Sequence, residues 1–428
     1  MSTQSRGMSS GKLAIDGGTP AVIHPLPPMY PGGMRIGQEE EAAVLEVLRS
    51  KRLFRYYGPE PGLSKVAELE QRFAKMVGTR YALAVSSGTA ALVAALAALE
   101  VGPGDEVIVP AYTWISTAAA VVAVGAVPVI AEVDDSLTLD IEDFEAKITG
   151  YTKAVIPVHM RGTPANMDAI MSIANRYGIK VLEDVAQADG ASYHGRRLGS
   201  IGHAGAFSLQ FNKILTSGEG GMVTTNEEDV YERALMYHDV AASQRAGLPQ
   251  ERTIIGVNYR MSELQGAVAL AQLDKLEGIL RDSRKHKRAL KEAIADVVES
   301  RTMGFRRLND EDGEAGISLV FYTRTPEAPQ YVVSALHAEG LTCSSVLFQR
   351  GSSDYHVYYH WTSILNKRYW GAQGPWRWNQ RDVSYDREMC PRALDLLERA
   401  VHVDISPDLT DTNVEEMAAA INKVLESL

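Results

Sequence analysis

Cysteine is almost missing from this 428-residue chain: Cys343 and Cys390 are the only two, far apart and in no CxxC pair. That excludes a disulfide framework and fits a reducing compartment. A basic excess is missing too. Lys and Arg number 43 against 54 Asp and Glu, a formal net charge of −11. Such a chain repels phosphate backbones, so nucleic acid is not an expected partner. Long hydrophobic runs are absent. "AALVAALAAL" and "TAAAVVAVGAVPVI" are short and alanine-rich, below the roughly 20 residues of a membrane span. No internal repeat is evident. The opening "MSTQSRGMSSGK" has no apolar signal core and reads as a disordered polar tail. These absences predict a soluble, cytoplasmic protein with no membrane partner.

What is present is enough apolar sequence, 45% of residues, for a large core. The length exceeds one typical domain of about 100–200 residues. From residue 81, strand-like runs alternate with helical ones: "YALAVSS" before "GTAALVAALAAL", "DEVIVPAY" before "ISTAAAVVAVG", "KAVIPVHM" before "NMDAIMSIANRYG", then "KVLEDVA". The strands are continuous apolar runs, as in sheets buried on both faces. The alternation predicts an α/β fold with a mostly parallel, doubly wound sheet. Residues 261–299 read as one long helix bridging to a small α+β unit, whose last helix Thr410 and Asn413 would cap. The expected divisions are an N-terminal tail and arm (1–34), a large domain (35–260), the connecting helix (261–299) and a small C-terminal domain (300–428). Residues 352–385 are rich in tryptophan and tyrosine but lack periodicity. Two readings stand for them: a subunit-contact loop, or a lid that stacks on a sugar or ring-shaped substrate.

In a doubly wound sheet, ligands bind beyond the C-terminal strand ends. "SSGTAA" (86–91) follows one strand and opens a helix. Ser87, Gly88 and Thr89 there either hold a phosphate on free N–H groups or simply cap the helix. Trp114, past the next strand, either stacks on a planar ring or fills the core. Asp184 ends a further strand and needs a cationic partner, a protonated pyridine nitrogen or an arginine; Gln187 can reach an adjacent phenolic oxygen. His194 and His203 read as surface residues, and no ligand cluster suggests a metal. Lys213 lies in the turn after "AFSLQ", with glycines at 218, 220 and 221 to permit a tight return. Each feature alone is weak. Together they match what pyridoxal phosphate requires: a phosphate cradle, a ring stacker, a carboxylate for the ring nitrogen and a lysine that holds it covalently.

With "SSGTAAL", "GDEVIVPAYTWIST", "VLEDVAQADGA", "FSLQFNKILTSGEGG", "VNYRMSELQGAVALAQL" and "CPRALDLLERAVHVDISPDLT" in this order, the chain resembles the DegT/DnrJ/EryC1/StrS sugar aminotransferases over about residues 35–425. The likeness leans toward the branch acting on keto-cyclitols. It implies an aspartate aminotransferase-like fold (fold type I) and pyridoxal 5'-phosphate as cofactor. By motif, Lys213 is the covalent anchor, Asp184 pairs with the pyridinium nitrogen, Gln187 with the phenolic oxygen, and Trp114 stacks on the ring. Ser87, Gly88, Thr89 and Ser208 bind phosphate, and Asn258 reaches the phosphate from a neighbouring subunit, implying a homodimer with shared sites. The implied reaction moves an amino group from glutamine or glutamate to a keto-sugar or keto-cyclitol, in amino-sugar or secondary-metabolite biosynthesis. Family dehydratases carry histidine at the lysine position, so Lys213 favours transamination over dehydration, oxidation or epimerisation; a non-catalytic sensor on the same fold is the reading from another class. Three departures bear on the substrate: Arg161 in "VHMRG", which reads a carboxylate or forms a surface salt bridge; Leu209 and Phe211 beside the lysine; and "LFQRGSSDYHVYYHW" where the pocket is usually shaped.

Overall fold

The computed structural model describes residues 12–56, 64–345 and 354–428. The opening tail up to residue 11 and most of "LFQRGSSD" lie outside the described residues. Seven strands form one large sheet: β1 (Tyr81–Val85), β2 (Glu106–Pro110), β3 (Val127–Ala131), β4 (Thr152–Val155), β5 (Lys180–Asp184), β8 (Ala204–Ser208) and β9 (Gly221–Thr225). A small hairpin, β6 (Ser192–Tyr193) with β7 (Arg196–Arg197), lies between β5 and β8 in sequence. The spatial order is β1-β9-β8-β5-β4-β2-β3. All pairs from β3 across to β8 are parallel, and only β9 runs against its neighbours. The sheet is therefore mostly parallel, as the alternating pattern predicts.

The apolar runs are explained by two cores. Leu83 and Val85 of β1 enter one, Ala82 and Ala84 the other, and β2 divides Val107 and Val109 from Ile108 in the same way. Side chains alternate along a strand, so a sheet covered on both faces needs apolar residues at every position. The alanine-rich helix Gly88–Ala98 is buried on nearly all sides, which is why its sequence shows no polar stripe. A third core lies around the antiparallel sheet of β10 (Ser318–Tyr322), β12 (Ala400–Asp404) and β11 (Cys343–Ser344) and includes residues of the helices Leu276–Arg301, Ala328–Ala338 and Asp411–Glu426. Thr410 and Asn413 cap the last of these reciprocally. Both cysteines are buried and free, and burial pushes each thiol up to about 12. Among the described residues no helix is long and apolar enough to cross a membrane.

One expectation about the fold needs correction. The stretch 261–299 is two helices, Glu263–Leu273 and Leu276–Arg301, not one. The break at Asp274–Lys275 keeps right-handed backbone angles, so no glycine or proline marks it. At the break the Gln272 amide and the Lys275 ammonium both donate to the distant Glu40, each at 2.8 Å. The N-terminal arm, where it is described, is tied to the third core. Leu13 and Val22 join the third core, and the Glu339 carboxylate accepts the N–H groups of Ala14 and Ala21 at 2.8 and 2.9 Å.

The aromatic stretch, from residue 354 onward, packs against the sheet edge, and its His356 borders the cleft. Thr113 and Ile115 donate their N–H groups to the carbonyls of His356 and Tyr355, at 2.8 and 2.9 Å. Tyr358 and Trp361 are fully buried. Tyr385 donates its hydroxyl to Pro128 O at 2.7 Å, and Arg381 pairs with the buried Glu106 at 2.7 Å.

Candidate active site

The large sheet gathers its strand ends at one cleft of about 400 Å3. Beyond β1, Ser87 caps the helix Gly88–Ala98, its Oγ accepting from the Ala90 N–H at 3.0 Å. Gly88 stands against the end of β8; a Cβ there would sit 2.6 Å from that of Ser208. Only glycine lets the helix N-terminus come so close. Beyond β2, Trp114 is 45% exposed, and its ring lies 4.9 Å from that of His356. The Thr113 and Thr117 hydroxyls meet at 2.7 Å, and Thr117 Oγ1 donates to Asp184 Oδ2 at 2.8 Å. Asp184 Oδ1 accepts the Ala186 N–H at 3.1 Å. Burial pushes this carboxyl above its ordinary range, while Thr117, Ala186 and the Lys213 charge pull the other way.

Beyond β8 the chain folds back on itself: Ser217 N–H donates to Leu209 O, and Phe211 N–H to Gly218 O, both at 2.9 Å. Gly218 takes a left-handed φ of 81° there. Lys213 sits half-buried in this turn. Burial lowers its ammonium below the ordinary lysine range, opposed by Asp189 and Asp184. Ser87, Gly88, Thr89, Trp114, Asp184, Gln187, Ser208 and Lys213 thus border one cleft. Asn258 does not: it is exposed, its Oδ1 accepting the Arg260 N–H at 3.3 Å. His194 is exposed as expected. His203 is half-buried instead, its Nδ1 accepting the Val181 N–H at 3.0 Å.

A family model for the DegT/DnrJ/EryC1/StrS aminotransferase family matches residues 34–422. The chain belongs to that family.

A GDP-perosamine synthase from Caulobacter vibrioides is 43% identical to this family member over 215 residues, half of this chain and 57% of the relative's length. An aminotransferase from Psychrobacter cryohalolentis superposes with a TM-score of 0.79 at 29% identity, covering 94% of this chain and 99% of that one. A 3-amino-5-hydroxybenzoic acid synthase superposes at 0.78 with 26% identity, over 94% and 100% of the two chains. The fold is that of the fold type I enzymes. DegT/DnrJ/EryC1/StrS aminotransferases depend on pyridoxal phosphate.

The residues of this DegT/DnrJ/EryC1/StrS aminotransferase fit that cofactor. Asp184 is a buried carboxylate with no ion pair among the described residues, the setting a protonated ring nitrogen would complete. The close approach at Gly88 leaves free helix N–H groups beside Ser208, the donor set a phosphate takes. No His, Cys, Asp and Glu group able to hold a metal occurs among the described residues.

Several residues in or behind the cleft escaped sequence reasoning. Thr117 braces Asp184; its signal was the threonine pair four apart in "YTWIST". Asp189, five residues after Asp184, is fully buried, its oxygens unpartnered among the described residues; burial pushes it up to about 8, countered by the Lys213 charge. His356 reaches the cleft from far along the chain, its Nδ1 2.8 Å from Asp354 Oδ1. No sequence signal pointed to it.

The departures near Lys213 are structural. Leu209 is fully buried in the core. Phe211 packs on the N-terminal arm, its ring 5.3 Å from that of Tyr30 and over Gly33, where a Cβ would lie 2.7 Å from it. In the same contact Gly32 N–H donates to the Lys213 carbonyl at 3.2 Å. Arg161 is no surface salt bridge. Its side chain is 19% exposed; Nε donates to the Tyr112 hydroxyl at 3.0 Å, and Nη1 lies 3.3 Å from Asp404 Oδ1.

Proposed function

We propose that this protein transfers an amino group from glutamine or glutamate to a keto-sugar, with Lys213 and Asp184 as its central residues. The observation that carries the reading is the meeting of Lys213, Asp184 and the Ser87–Thr89 helix start in one cleft. Pyridoxal phosphate supplies an electron sink for charge developing at the donor's α-carbon. The Lys213 amine would anchor the cofactor and would carry the proton at that carbon; burial lowers its ammonium below the ordinary lysine range. Asp184, braced by Thr117, would hold a proton on the ring nitrogen. Ser87, Gly88, Thr89 and Ser208 would hold the phosphate, with Trp114 for the ring and Gln187 for the phenolic oxygen. Asn258, exposed and outside its own cleft, serves the phosphate of a second copy in a homodimer.

A sugar acceptor is favoured over a cyclitol by the likeness to a perosamine synthase. The deciding experiment offers the purified enzyme glutamate or glutamine with a panel of nucleotide-linked keto-sugars and keto-cyclitols, reading amino products by mass spectrometry. Amination of a keto-sugar with matching 2-oxo acid release is the expected result. Amination of cyclitols alone would move the acceptor class, and dehydration without nitrogen transfer would overturn the reaction.

A further inference from the structure

Arg161 has an unusual backbone for a residue with a side chain. Its φ of 50° and ψ of 43° lie in the left-handed region, which disfavours any residue with a Cβ and costs glycine nothing. The conformation aims one group. Arg161 N–H donates to Gln187 Oε1 at 3.0 Å. A backbone N–H only donates, so the amide atom facing it must be the oxygen. The Gln187 nitrogen is thereby turned the other way, and among the described residues nothing accepts from it. Gln187 borders the cleft.

We propose that Arg161 is a positioning residue: its guanidinium, tied to Tyr112 and Asp404, holds a left-handed backbone whose N–H fixes the Gln187 amide with its nitrogen toward the cleft. This rests on the reading of Gln187 as the residue facing the cofactor's phenolic oxygen. The tie joins three parts of the chain. Tyr112 is fully buried beyond β2, Arg161 follows β4, and Asp404 ends β12. Neighbouring bonds hold the rest of the turn independently: Thr163 N–H and Arg306 Nη2 both donate to Met160 O, at 3.2 and 2.9 Å, and Ala315 N–H donates to Gly162 O at 2.9 Å. The one point that depends on the guanidinium is the strained residue itself. An acceptor oxygen on the cofactor thus meets a pre-aimed N–H donor rather than an amide free to turn over.

The test compares Gln187→Leu, Arg161→Ala, Arg161→Gly and Arg161→Asn as holoenzymes, reading the pH midpoint at which the bound cofactor's absorption band changes. Thermal midpoints of the same proteins check folding. Asp184 and Asp189, the carboxylates facing Lys213, are unchanged in all four. A donor to the phenolic oxygen favours the more negative ring system, so its loss moves the midpoint up, by about one pH unit for one hydrogen bond. Gln187→Leu is expected to show that shift, and Arg161→Ala a large part of it. Arg161→Gly and Arg161→Asn lose the same guanidinium but sit at ease in the left-handed region. They are expected to keep the wild-type midpoint. Equal shifts in all three Arg161 variants, or none in Arg161→Ala, would overturn the proposal while leaving Gln187's role standing. No shift in Gln187→Leu would overturn the Gln187 reading and this inference with it.

Discussion

One wall of the cleft is made by the ends of parallel strands, the other by a segment that enters from more than 140 positions further along the chain. On the first, Ser87, Trp114, Asp184 and Lys213 each stand within a few residues of a strand terminus. Their neighbours orient them locally: Ser87 by the Ala90 N–H, Asp184 by Thr117 and Ala186. On the second, His356 is placed because the backbone of 355–358 pairs with that of 111–115, and because Tyr358 and Trp361 are sunk in the core. The first wall is a set of chemical groups on a rigid base; the second is packing that happens to present one ring. Damage to the first should cost chemistry, and damage to the second should cost stability.

The largest effect is expected at Lys213→Ala. Turnover should fall by about 10²–10⁴-fold or more, with a thermal midpoint near wild type, because the half-buried side chain makes no hydrogen-bonded ion pair among the described residues. A fall in stability equal to that of a core mutant would break the contrast between the walls. Next comes Trp361→Ala, which removes a fully buried side chain and its bond from Nε1 to Tyr355 O. It should cost about 3–5 kcal/mol in denaturant unfolding while any folded fraction still binds the cofactor.

Asp189→Asn tests a smaller effect behind the first wall, at a fully buried carboxyl that feels the Lys213 charge. A carboxyl whose folded pKa is raised to about 8 keeps its proton in the folded state after the unfolded chain has lost it. Wild-type stability therefore falls as pH rises toward 8. The Asn variant lacks that dependence, so its stability relative to wild type should rise between pH 6 and pH 8, then level off. A gap that stays flat over this interval would show Asp189 to be ionised. The smallest effect is expected at Trp370→Ala: this residue is 90% exposed, and its loss should change stability by no more than about 0.5 kcal/mol. An oligomer that falls apart in this variant, as seen by light scattering, would instead give the second wall a role at a subunit contact.

The same contrast governs what could be read in advance. The mostly parallel sheet and the eight cleft residues were legible because each was written in a short contiguous stretch whose strand end fixes its position. Asp189 and Thr117 lay inside stretches already singled out, yet their burial and partners needed the fold. The helix break at Asp274–Lys275, the seat of His356 and the backbone of Arg161 were not legible at all. Each meets a partner distant in sequence: Glu40, the loop after β2, and Tyr112 with Asp404. Phe211 misled for the same reason, since its explanation is Tyr30 in the arm.

The bond from Gly32 to the Lys213 carbonyl has a meaning in time as well as space. About 180 residues lie between the two, so at ribosomal rates of 5–20 residues per second the arm waits roughly 10–40 s for its counterpart to be made. Gln272, whose amide oxygen would lie 2.9 Å from a Cβ at Gly32, arrives later still. The turn bearing the lysine therefore waits for residues up to Gln272, and His356 of the cleft is made later still, so a growing polypeptide carries no finished cleft until most of it has been synthesised.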